Sequence, residues 1–111
     1  MANRHRGEID AVLDGKPYTL CLTLGALAEL EQVFGAGDLG ALAERLAHGR
    51  MSARDAIRIL TAGLRAAGHD VDEQSVSRMR AEGAASGFVT IVARLLAATF
   101  ADADDVLSGL R

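Results

Sequence analysis

Aromatic residues make up only 4% of this 111-residue chain, cysteine occurs once, and no apolar run comes near the roughly 20 residues that span a bilayer. Half the residues are nevertheless hydrophobic, so the interior must be built from alanine and leucine on closely packed helices rather than around large rings. A lone Cys21 excludes an internal disulfide and, with no second thiol, a thiolate zinc centre; a reducing compartment is compatible. The net charge of -3 offers no general attraction for nucleic acid, which needs a concentrated basic surface to displace counterions. The opening MANRHRGEID lacks the apolar segment of a secretory signal, so a soluble, intracellular protein without membrane or nucleic-acid partners is expected. The length suits one domain over residues 1–111, with a hairpin over 8–23, a helical part over 24–101 and an acidic tail over 102–111.

What is present reads as α+β: a two-stranded antiparallel hairpin followed by a bundle of four to five helices. Ile9, Ala11 and Leu13 alternate along one run, and Tyr18, Leu20 and Leu22 along the next. Between the runs stands Asp14-Gly15, a pair suited to the positive φ angles of a tight turn. An isolated hairpin is marginally stable, so helices or another chain must cover its apolar side. Thr23 is the expected cap of a first helix carrying Leu24, Leu27, Leu30 and Phe34, which Gly35 ends. Asp38 caps a second, with Leu39, Leu42, Ala43, Leu46 and Ala47 as its stripe and Gly49 as its stop. Ser52 with Asp55 opens a third, carrying Ile57, Leu60 and Leu64 up to Gly68. A fourth is expected over Asp72–Arg80 with Val76 and Met79 inward. The fifth, around GFVTIVARLLAATFA, is apolar on most sides and leaves only Thr90 and Arg94 for solvent, which predicts a place at the centre of the fold. The acidic end beyond it is expected to add a helical turn, fray or serve as a handle.

Chemistry is sparse. Gly35, Gly37 and Gly40 have the spacing of a phosphate-cradling loop, but they follow a helix, whereas a dinucleotide fingerprint follows a strand and opens a helix. They read as an interhelix turn, and Asp38 would repel a phosphate. His5, His48 and His69 are scattered without a metal-ligand pattern. Cys21 has no histidine in a diagnostic relation and reads as a small buried or half-buried residue. Glu29 and Glu31 point to different helix faces, and Asp102, Asp104 and Asp105 lack the glycine and closing glutamate of a calcium loop. No catalytic residue, cofactor or metal is expected. Arg54, Arg58 and Arg65 fall within about 40° of one another on the third helix, a basic stripe suited to an acidic partner.

The succession NRHRGEIDAVLDGKPYTLCLTLGALAELEQVFG, ALAERLAHG, ILTAGLRAAG and RLLAATF resembles the small tail-assembly chaperones of gene transfer agents and tailed phages, a family also known as phage tail tube or gene transfer agent proteins. The resemblance covers most of the chain. Its most specific parts are Asn3-Arg4, Arg6-Gly7-Glu8, Asp14-Gly15, Leu22 to Leu30 and the run from Ala62 to Gly68. It implies a non-enzymatic protein that binds the long helical tape-measure protein, helps tail tube protein polymerise around it and then leaves, with a homo-oligomer left open. Such a chaperone would act in the cytoplasm of the producing bacterium, phage-infected or carrying a prophage, and be absent from the mature particle. The alternative is a permanent component, a tail tube or head-tail connector protein. No contact motif carries over residue by residue; exposed apolar positions on the first two helices and the arginine stripe are the physical expectation for the partner surface.

Overall fold

A computed structural model of the chain describes residues 7–47 and 51–109. The fold is α+β as expected: β1 (Ile9–Leu13), β2 (Lys16–Leu20), α1 (Leu24–Phe34), α2 (Leu39–Ala47), α3 (Ala53–Ala66), α4 (Glu73–Ser77) and α5 (Ala84–Gly109). The strands pair antiparallel with Ile9 opposite Leu20 and Leu13 opposite Lys16. Asp14 and Gly15 both take positive φ, 55° and 73°, the conformation a two-residue hairpin turn demands. Ile9, Ala11, Leu13 and Leu20 are buried beneath the helices, which resolves the marginal stability of the ribbon.

Helix starts follow the local chemistry. The Thr23 side chain accepts from the Ala26 backbone N–H, and Ser52 and Asp55 form a reciprocal capping box. Gly35 ends α1 in the left-handed region at φ 70°. Asp38 Oδ1 accepts from the Ala41 N–H at 2.7 Å, so Asp38→Ala should cost about 1 kcal/mol in urea unfolding; an unchanged midpoint would remove the capping role.

Three expectations give way to tertiary structure. The fourth helix stops at Ser77 rather than Arg80. The chain there turns to the hairpin: Asp14 N–H donates to the Arg80 carbonyl and Arg80 N–H donates to Asp14 Oδ1, both at 2.8 Å, and Leu13 bridges Ala81. Two long-range hydrogen bonds to the turn replace another helical turn. Second, Leu24 is 75% exposed at the start of α1, where the core is reached instead by Ala26, Leu27, Leu30 and Phe34. Third, α5 is not the central helix. That place belongs to α3, which packs on β2, α1, α4 and α5 and buries Ile59, Leu60, Ala62 and Leu64. Its Gly63 carbonyl accepts from the Cys21 N–H at 3.1 Å, tying the helix to the end of β2. α5 lies on α3 and β1 and buries one face only, through Ile91, Val92, Leu95 and Ala98. The acidic segment continues α5 as helix to Gly109. Gly49, like His48 and His5, lies outside the described residues.

Candidate functional site

α5 walls an apolar groove of about 890 Å³ between α2, α3, α4 and α5, its lining including both the exposed Val89 and the buried Val92. α3 supplies the opposite wall from Ala53, Ala56, Ile57 and Leu60, residues one turn apart that the Ser52 capping box aims along the groove. Met51 ahead of α3 and Met79 beyond α4 stand at its edges, and Leu46 of α2 and Val76 of α4 contribute further apolar surface. On α5 the lining runs through Phe88, Val89, Ala93, Leu96 and Phe100. Val89 is 65% exposed, while Phe88, Leu96 and Phe100 are half-buried.

Among the described residues Ser52 and Ser77 are the only lining residues with polar side chains, and none that lines the groove is ionisable. These walls offer surface that gains free energy by leaving water. A cleft of this shape suits the apolar stripe of a helix, and unbranched methionines let its edges adapt to what enters.

The arginine stripe is a different surface. Arg54 and Arg65 are exposed and Arg58 is half-buried, and at about 100° per residue all three point roughly a third of a turn or more away from the groove-facing positions of α3. α2 lines the groove through Ala43 and Leu46, and α1 does not line it. The exposed Leu24, Val33 and Leu39 remain single apolar side chains outside it. Sequence reasoning missed the contribution of α5. Its signal was the near-complete apolar circumference, which suits a helix with one face in the core and a second reserved for a partner as well as it suits full burial.

The remaining candidates fall where chemistry has little use for them. Gly35 ends α1, Gly37 has open space around it and Gly40 sits beside the Asp38 carboxylate, so the glycines turn the chain between two helices. His69, just past α3, places Nε2 3.1 Å from the Thr19 carbonyl and meets the Tyr18 ring edge-on, with centroids 5.1 Å apart. It fastens the end of α3 to β2. Cys21 is half-buried. Among the described residues no cluster of three or more His, Cys, Asp or Glu is placed to hold a metal ion, and no helix is long and apolar enough to cross a membrane.

The family model described as phage tail tube protein, GTA-gp10, matches residues 6–102. No curated protein and no solved structure matches the chain.

Proposed function

Because the chain belongs to the family of phage tail tube proteins of the GTA-gp10 type, we propose that it acts in tail assembly as a non-enzymatic chaperone whose apolar groove receives a helical stripe of the tape-measure protein. The observation that carries this reading is the groove itself: an exposed, adaptable slot without ionisable walls, open along one side of α5. A long helical protein awaiting its tube exposes apolar stripes that need temporary cover. Many weak contacts along one such chain add up through multivalency and still permit release as tube subunits arrive. The arginine stripe of α3 offers a second, electrostatic contact for acidic segments of the tape measure or of tail tube protein.

Co-expression with the tape-measure protein tests the proposal. Wild type is expected to co-purify and keep the tape measure soluble, whereas Ile57→Glu, which sets a carboxylate in the apolar wall of α3, should lose capture while keeping its helical circular dichroism. A tape measure equally soluble without this chain, and no complex on co-purification, would sink the chaperone reading. The family description favours a second reading, a permanent tail tube component. Mass spectrometry of purified particles separates the two: stoichiometric presence selects the permanent component, and absence selects the chaperone.

A further inference from the structure

The segment that joins α3 to α5 forms the α4 side of the groove and is held differently from the other walls. Among the described residues from 70 to 86 only Val76 is buried, while Val71, Met79 and Ala81 are half-buried. α4 is five residues long and packs on α3. A stretch with so few buried apolar side chains, and with its backbone hydrogen bonds close to water, opens at far less cost than the core helices.

Its restraints lie at particular points. At one end His69 Nε2 meets the Thr19 carbonyl at 3.1 Å. In the middle Asp14 Oδ1 accepts from the Arg80 N–H and the Arg80 carbonyl accepts from the Asp14 N–H, both at 2.8 Å, and Leu13 bridges Ala81. These contacts latch the segment to the tip of the hairpin. At the other end Gly83 and Ala84 take positive φ in succession, 87° and 54°, where the chain turns into α5. That conformation is strained for Ala84 and persists only while the surrounding contacts hold it, so release of the latch lets the joint relax. Bending concentrated at such a pair leaves the helices on either side intact.

We propose that residues 70–83 are a gate on the groove, opening as one unit about the Gly83–Ala84 joint when the Asp14–Arg80 latch releases. The movement carries Val76, Ser77 and Met79 away from the α3 wall and widens the groove while the core stays folded. The gate stands on the latch and the joint, and does not depend on which molecule the groove receives.

Amide hydrogen exchange of the full chain, read residue by residue, tests the unit. The Val76, Arg78, Met79 and Arg80 amides, each hydrogen-bonded in the closed form, should exchange on the order of a hundredfold faster than those of Leu60 and Leu64 in α3. Asp14→Gly keeps the positive φ of the turn and removes the carboxylate. It should speed all four amides by about tenfold and leave those of α3 unchanged. Asp14→Asn, which keeps an acceptor oxygen and tolerates the turn, should stay close to wild type. Widening is read by iodoacetamide labelling in a Cys21→Ser background. Leu60→Cys, at a position 2% exposed that lines the groove with Val76, should label about tenfold faster when Asp14→Gly is added. Ile59→Cys, at a fully buried position outside the groove lining, should not respond. Strap amides that exchange only as fast as α3, acceleration confined to Arg80, or labelling at position 60 indifferent to Asp14→Gly would each overturn the proposal.

Discussion

Leu95→Ala is expected to lower the unfolding free energy by about 2–5 kcal/mol, a large share of the roughly 5–15 kcal/mol that holds an ordinary domain together. Leu95 is 0% exposed and its Cδ2 lies closest to the space above Gly63, where α5 meets α3 and the end of β2. Truncation removes the buried transfer energy of the isobutyl group and leaves a cavity. Leu20 of β2 and the Gly63 backbone of α3, which meet it from two other elements, cannot collapse into it freely. Urea unfolding followed at the helical circular dichroism band would read the change. A midpoint within error of wild type would mean that α5 does not seal this part of the core. Val89 makes the contrast: truncating it to alanine should leave the midpoint nearly unmoved, because that side chain is mostly in water already.

Gly63→Val is expected to destabilise by a comparable amount, about 2–4 kcal/mol, from overpacking and the loosening of one backbone hydrogen bond. A Cβ at position 63 would stand 2.9 Å from Leu95 Cδ2 and 3.4 Å from Leu20 Cδ2, and the two further methyls of valine have nowhere to go while the Gly63 carbonyl holds the Cys21 N–H. Gly63→Ala is a weaker test. Its single methyl meets the far ends of flexible side chains, and the gain of about 1 kcal/mol in helix propensity opposes the crowding. Combining Gly63→Val with Leu95→Ala should cost less than the two changes added, since the cavity left by one receives the methyls of the other. Strict additivity in that cycle would show that the two positions do not share the space.

The elements that were legible in the sequence are those decided within a few residues. The Asp14-Gly15 turn, the Thr23, Asp38 and Ser52 caps and the Gly35 stop all depend on a hydrogen bond or a backbone angle at short range, and the structure places each where the residues call for it. α4 was legible at its start, where Asp72 and Ser75 cap each other, and not at its end, where Arg80 is drawn to Asp14 across 66 residues. The groove was legible only in its ingredients. The arginine stripe could be read from spacing, but its separation from the groove could not, because helical periodicity gives the angle between side chains and not the identity of the neighbour each one meets.

By itself, then, the sequence determined an α+β chain with a leading hairpin and capped helices, and the order of motifs that marks the tail family. Tertiary structure decided which helix is central and which apolar surface stays open. α5 is apolar around most of its circumference, and nothing local distinguishes a face packed on α3 and β1 from a face left open. At the crossing Gly63 brings no side chain, which lets Leu20 of β2 and Leu95 of α5 close on α3 from two sides, a meeting of three elements distant in sequence that no local pattern encodes.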